Sequence, residues 1–268
     1  MTDRVKTWQS YYDKCAELPD LMFQSARFDI APFQYDAIID DVLKKLPVNS
    51  EDFVLDVGCC NGMIDMHLAP KCRKLIGVDL SEQSLELARI NNSEYPHAEF
   101  MYADAADLPI ESNSVDKILM YGVSMHGDMN WIERVLTEFI RVSKNNARIM
   151  MGDNISPGLW REYKRNKGVL NSFKAYCELN PENLSFMPLR VLAFHGRKNV
   201  EMALRKWRMP EIRNNDEPVD DPQENSAFDE NEILALVERL GQTGRIQYQN
   251  YRLPYSRFRY DLLIDVVK

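Results

Sequence analysis

The stretch Val54-Leu55-Asp56-Val57-Gly58-Cys59-Cys60-Asn61-Gly62-Met63 runs from an apolar segment into glycines and small residues. Glycine lets backbone approach a ligand closely, and a helix starting there, expected over 63–69, aims its first amides at that ligand. The shape suits a nucleotide-like cofactor. A second apolar run ends on Asp79, 23 residues after Asp56, where a carboxylate can accept hydrogen bonds from both hydroxyls of a ribose. A dinucleotide-binding loop shares that feature, but G-x-G-x-x-G is broken here because Cys60 stands at the second glycine. Asp56 would also repel a pyrophosphate, whereas it could receive an ammonium group. The charges favour a cofactor that carries a cation over a nicotinamide dinucleotide. His126 is one of only four histidines and follows another apolar run, at the strand end where open α/β sheets place their ligand crevice. Its titration range suits a general base, the alternative being a histidine that only shapes the pocket. Asp128 could orient His126 or act in its place. Cys59, Cys60, His67 and Cys72 match no common zinc spacing, so no metal site is expected.

The elements that must position these groups alternate. Apolar runs at 52–57, 74–79, 98–104, 115–121 and 147–153 predict five short buried strands, as in a parallel sheet covered on both faces. A helix is expected over 82–90 with Ser81 as its N-cap, and another over 131–142, with Asn130 and Glu133 at capping-box spacing. Helical spacing also marks 33–43, a helix follows at 230–240, and 245–253 and 259–268 supply an antiparallel closing pair. The expected fold is α/β, a doubly wound, seven-stranded, mostly parallel sheet with an antiparallel last strand and a helical insertion between strands five and six. Its parts are a helical segment over 1–50, a core of 51–155 with 228–268, and the insertion 156–227.

Net charge is −8, with 45% apolar and 28% charged side chains, which suits a soluble globular chain and disfavours a general nucleic-acid binder. No apolar run approaches the length of a membrane span, and the opening MTDRVKTWQSYYDK lacks a signal peptide's apolar core, so a cytoplasmic location is expected. Five cysteines, at 15, 59, 60, 72 and 177, are odd in number and irregular in spacing, which points to reduced thiols. The vicinal pair Cys59-Cys60 is expected to pack rather than react. The acid-rich run from Asp216 to Glu232 holds eight acidic and no basic residues and is expected as a solvated connection.

Taken together, these segments resemble the class I S-adenosylmethionine-dependent methyltransferases, in their small-molecule branch, over about 50–155 and more loosely over 245–268. VLDVGCCNGM resembles the first motif, an acid followed by three glycines at alternate positions, with Cys60 in place of the middle one. The resemblance implies that Asp56, Gly58 and Gly62 line the methionine end and adjacent ribose. GVDLS at 77–81 resembles the second segment, with Asp79 on the ribose hydroxyls and Leu80 beside it. YADAADLP at 102–109 resembles the third, implying Asp104 at the adenine amino group, with Asp107 as the alternative acid, and the Ala105 amide on the ring. ILMYGVSMH at 118–126 implies Tyr121 and Gly122 along the cofactor and His126 toward the substrate. The N-terminal helices resemble the family's cofactor lid, with Tyr11, Tyr12 and Arg27 as candidates to hold the methionine carboxylate.

Methyl transfer from a sulfonium is an in-line displacement in which the protein aligns, desolvates and, for a hydroxyl acceptor, takes a proton. His126 therefore suits an O-methyltransferase of a small molecule using S-adenosylmethionine and releasing S-adenosylhomocysteine. An N-methyltransferase of a small amine, a non-catalytic cofactor-binding partner subunit and a nicotinamide-dependent oxidoreductase are the alternatives. No N-P-P-Y type sequence follows strand four, which disfavours a DNA adenine or protein glutamine acceptor. The insertion carries Trp160, Tyr163, Tyr176, Phe186, Phe194, His195 and Trp207, enough aromatic surface for a lid or a homo-oligomer contact. Its Arg161, Lys164, Arg165, Lys167, Arg197 and Lys198 would suit an anionic acceptor, although a solvated helix face is the favoured account.

Overall fold

The computed structural model describes residues 3–28, 30–159, 193, 196–204, 225–249 and 258–268. Seven strands form one sheet, β1 (Phe53–Val57), β2 (Lys74–Asp79), β3 (Ala98–Tyr102), β4 (Val115–Tyr121), β5 (Ser143–Ile155), β6 (Gly244–Tyr248) and β7 (Arg259–Asp265), in the order β3-β2-β1-β4-β5-β7-β6. The first five pair in parallel, and β7 inserts antiparallel between β5 and β6. Every residue of β1 is buried, because helices cover both faces of the sheet's centre. The order reverses between β1 and β4, and at the carboxyl ends of the strands beside that switch point, the place where open α/β sheets bind ligands, Asp79, Tyr121 and the loop after Val57 all emerge.

Helices α1 (Asp3–Ala16), α2 (Leu21–Gln24) and α3 (Pro32–Lys45) precede β1, and α4 (Asp65–Leu68), α5 (Glu82–Asn91) and α6 (Met129–Val142) lie between strands. One core layer packs α3, α4 and α5 against the sheet through Ile38, Val42, Leu68, Leu85 and Ala88. The other packs α6 and the helix Glu230–Arg239 through Val135, Leu136, Phe139, Ile233 and Leu236. The stripe Ile132, Val135, Leu136, Phe139 and Val142 of α6 is wholly buried, as its three- and four-residue spacing requires. Ser81 caps α5 by accepting from the Ser84 amide at 3.1 Å.

Several boundaries differ from expectation. Helix α6 begins two residues early, because Asp128 is its N-cap and accepts from the Trp131 amide at 2.8 Å, in place of the Asn130–Glu133 box. Strand β5 extends over 143–155, since pairing with β4 and β7 carries it past its apolar run. Strand β3 stops at Tyr102, and the helix after the glycine loop shortens to Asp65–Leu68 followed by a 3-10 turn at Ala69–Lys71. Trp160, Tyr163, Tyr176, Phe186, Phe194, His195, Trp207, Arg161, Lys164, Arg165 and Lys167 lie outside the described residues, as does the acidic run up to Glu224. Arg197 and Lys198 fall on a helical stretch, where Arg197 stacks 4.4 Å over the Phe33 ring and Glu201 accepts from the Phe33 amide at 3.3 Å. Among the described residues no helix is long and apolar enough to cross a membrane, and no cluster of three potential ligands could hold a metal ion.

Candidate cofactor and acceptor site

The loop from Gly58 to Gly62 leaves β1 and folds back over β2, with the Gly58 amide donating to the Val78 carbonyl at 2.7 Å. Gly58 sits at φ +76, and a methyl group there would lie 2.3 Å from a methyl of Val123. Both the left-handed backbone and the lack of space demand glycine. Gly58→Ala should destabilise the fold by about 2 to 3 kcal/mol, the sum of backbone strain and overpacking. A lower thermal midpoint together with weaker binding of S-adenosylhomocysteine is the expected result. Gly62, at φ +69, lies against Ala88 and Asn92 and so joins the loop to α5.

Cys60 occupies the motif's middle glycine and still takes φ +52, a conformation that costs a side chain about 1 to 2 kcal/mol. Its Sγ lies 3.6 Å from the Gln24 carbonyl and 3.8 Å from Ser84 Oγ. Burial pushes the Cys60 thiol up to about 12 and the Cys59 thiol upward as well, so both stay protonated and poor nucleophiles. Asn61 fixes the loop from the other side, donating to the Leu21 carbonyl at 2.8 Å and to Gln24 Oε1 at 3.2 Å. Helix α2 itself starts on Asp20, whose Oδ1 accepts from the Met22 and Phe23 amides at 3.0 and 3.1 Å.

At the end of β2, Asp79 accepts from the Cys60 amide with Oδ2 and from the Ser81 amide with Oδ1, both at 2.9 Å. Burial pushes its pKa up, against the pull of the Ser81, Cys60 and Leu80 amides. A carboxylate offers about four acceptor directions, so acceptor capacity remains for a ribose hydroxyl. Leu80 lies half-buried at the same turn. Helix α1 closes over this corner, with Ser81 Oγ donating to Asp13 at 2.6 Å.

The opposite corner is built from the lid segment and strand four. Arg27 is half-buried, with its guanidinium 5.5 Å over the Tyr121 ring. Burial works against that charge, but Tyr121 and the carboxylate of Asp153 outweigh it and raise the pKa. Gly122 turns at φ +72, and a Cβ there would face Asp153 Oδ2 at 3.7 Å and an Arg27 nitrogen at 3.8 Å. Trp8 and Tyr12 of α1 enclose His126, the Trp8 ring at 3.9 Å between centroids and the Tyr12 hydroxyl 3.1 Å from Nε2. Burial holds the Tyr12 hydroxyl proton in place, with Cys60 and Tyr11 acting in the same direction. Tyr11 packs edge-on against both Trp8 and Tyr12.

The predicted residues thus fall into two groups. Asp56, Gly58, Gly62, Asp79 and Leu80 surround the glycine loop, while Tyr12, Arg27, Tyr121, Gly122 and His126 converge at the end of β4. Tyr11 backs the second group from α1. Asp104 and Ala105 follow β3, where Asp104 Oδ1 accepts from the Ala106 amide at 2.9 Å and faces the Trp131 indole nitrogen at 3.5 Å. Asp128 is exposed at the start of α6.

Among the buried groups that were missed are Asp153, Asp261, Lys45 and Asp65. Asp153 lies at φ +63 in a β5 bulge, its carboxylate 3.8 Å from Arg259 and 3.3 Å from Gln249. Asp261 of β7 accepts from the Asp153 amide at 2.9 Å and pairs with the buried Lys45. Asp65, in the first turn of α4, lies against Asp56. The signal was available for two of them, because Asp153 and Asp261 are acids inside otherwise apolar strands, and a buried charge needs a reason.

The donor set is two carboxylates beside a glycine loop and a guanidinium at its far end. It fits a nucleoside with a free diol and a zwitterionic tail, which is the chemistry of S-adenosylmethionine. The sequence pattern of the methyltransferase domain family matches residues 54–146, which include the loop, Asp79, Asp104 and the end of β4. Residues 54–146 are a methyltransferase domain. A malonyl-[acyl-carrier protein] O-methyltransferase of Marinomonas is 34% identical over 34% of the chain and 37% of its own length. The chain spans well under half the length of the first curated relatives it matches. The fold around the domain is shared with phosphoethanolamine N-methyltransferase 1 of Haemonchus contortus, at TM-score 0.63, 16% identity and coverage of 100% of this chain and 50% of that one. It is shared as well with geranyl diphosphate C-methyltransferase of Streptomyces coelicolor, at TM-score 0.60, 12% identity and 99% coverage of each chain. The methyltransferase domain thus sits in a seven-stranded class I fold, its motif acids and glycines at the switch point.

Proposed function

We propose that the chain is an S-adenosylmethionine-dependent methyltransferase acting on a hydroxyl oxygen of a small molecule. The observation that carries the cofactor part is the clamp at Asp79, whose two oxygens tie the glycine loop to the start of α5 while keeping acceptor capacity for a ribose. Arg27 suits the cofactor carboxylate, since a guanidinium matches it with paired hydrogen bonds. Asp56 would carry negative charge near the ammonium. The cofactor, when bound, supplies an electrophilic methyl group.

What remains for the protein is alignment, exclusion of water and handling of one proton. Trp8 and Tyr12 shield His126 from solvent, and His126 would take the acceptor's proton as the oxygen is methylated. The Tyr12 hydroxyl at Nε2 holds the imidazole in one orientation until an acceptor displaces it or bonds beside it. Acidic net charge and the absence of an N-P-P-Y type sequence support a small acceptor over a nucleic acid. Release of S-adenosylhomocysteine against a panel of hydroxyl- and amine-bearing metabolites tests this reading. Release with hydroxyl compounds supports it, and release with amines alone would replace the oxygen by nitrogen.

Asp79→Ala should weaken binding of S-adenosylhomocysteine about ten- to a hundred-fold, the loss of one or two charge-assisted hydrogen bonds. Titration calorimetry on the folded variant measures it. Unchanged affinity would remove the ribose from this position.

A further inference from the structure

Directly beneath the glycine loop lies a carboxyl group that the methyl-transfer reading leaves unused. Asp65 is 0% exposed, and neither of its oxygens meets a hydrogen-bond donor among the described residues. Its side chain is in hydrogen-bond contact with Asp56, itself only 3% exposed. Two carboxylates buried in contact cannot both be ionised, because each would lack solvation and repel the other. Their contact becomes a hydrogen bond only when one of them keeps its proton. The supports are unequal. Asp56 has the Val57 amide and the Arg27 charge on its side, whereas among the described residues Asp65 has only Asp56.

We propose that Asp65 is a positioning residue that stays protonated and donates its carboxyl hydrogen to Asp56, keeping Asp56 anionic and oriented for the cationic end of the cofactor. The inference rests on the cofactor reading above and extends it to a residue outside the motif. The other titratable groups facing the pair are Asp79, Arg27, Tyr35, Cys59 and Cys72. Arg27 favours the anion, Asp79 opposes it, and burial keeps the Tyr35, Cys59 and Cys72 protons in place. Burial also pushes Asp56 up to about 7, and the hydrogen bond from Asp65 is the foremost influence pulling it back down. Below that pH a proton occupies Asp56. A cofactor bearing an ammonium group must then release that proton to solvent on binding, so affinity rises with pH and levels off above the Asp56 pKa.

Calorimetric titration with S-adenosylhomocysteine between about pH 5.5 and about pH 8.5 tests this on the full chain. In the wild type, affinity should rise up to about tenfold per pH unit on the acid side and then flatten. Asp65→Asn retains a donor to Asp56 and should keep the midpoint within about half a unit, whereas Asp65→Ala should move it up by about one unit. Superimposed profiles for wild type and Asp65→Ala would overturn the proposal, as would an Asp65→Asn profile that follows Asp65→Ala. Should Asp65→Ala fail to fold, infrared spectra of ligand-free protein decide. A protonated-carboxyl band at about pH 8.5, where Asp56 is ionised, that is lost in Asp65→Asn supports the proposal, and its absence from the wild type refutes it. No binding to the folded wild type at any pH would instead overturn the cofactor reading, and the role of Asp65 with it.

Discussion

Replacing His126 with alanine is expected to lower turnover by about a hundred- to ten-thousand-fold, the usual contribution of a positioned general base. Affinity for S-adenosylhomocysteine should change by no more than about threefold, because the base acts on the acceptor and the cofactor is held elsewhere. The packing of Trp8 and Tyr12 around the imidazole makes alanine an ambiguous variant by itself, since the lid loses a contact along with the base. His126→Gln removes the ambiguity. It keeps a polar side chain within reach of the Tyr12 hydroxyl but cannot accept a proton at neutral pH, so it should lose nearly as much turnover as alanine. Steady-state rates and calorimetry on the same preparations separate the two quantities. A parallel fall in rate and cofactor affinity would make His126 a structural residue.

A second large effect concerns stability. Lys45 ends α3 and is 5% exposed, yet its ammonium reaches Asp41 at 2.5 Å and the fully buried Asp261 of β7. Lys45→Met preserves most of the volume and leaves the Asp261 charge without its cation. Removing one partner of a buried pair costs about 3 to 5 kcal/mol, more than the pair itself contributes relative to apolar residues. Urea denaturation should show that loss as a lower midpoint. The consequence extends to the crevice, because Asp261 also receives the Asp153 amide and the Gln249 side chain, and Asp153 faces Arg27. A loss below about 1 kcal/mol would mean that water or a rearranged Gln249 compensates Asp261.

Most of the parallel sheet was legible because each buried strand is a short apolar run followed by a turn or helix start. The position of β7 between β5 and β6 was not, since pairing order depends on which edges meet and not on local pattern. The start of α6 illustrates a competition between caps. Asp128 and Asn130 are both good N-cap residues, and the extended backbone at Asp128, with ψ 176°, decided for the earlier one. Asp79 and Gly58 could be picked out because a strand end followed by glycine carries a local signature. Asp65 and Lys45 could not, because an acid in a first helical turn and a lysine in a last one are the commonest solvated residues there. Only tertiary packing buries them, against Asp56 in one case and Asp261 in the other. The charge of Asp153 inside an apolar strand stands out in the sequence, but its place on a bulge where the β5–β7 register shifts does not.

A crystal structure of the chain grown with S-adenosylhomocysteine tests the central claim most directly. The ribose hydroxyls are predicted on the carboxylate of Asp79, with the amino-acid tail lying between Asp56 and Arg27 and the sulfur turned toward His126. A nucleoside bound away from Asp79, or a tail pointing out past β3, would contradict the account.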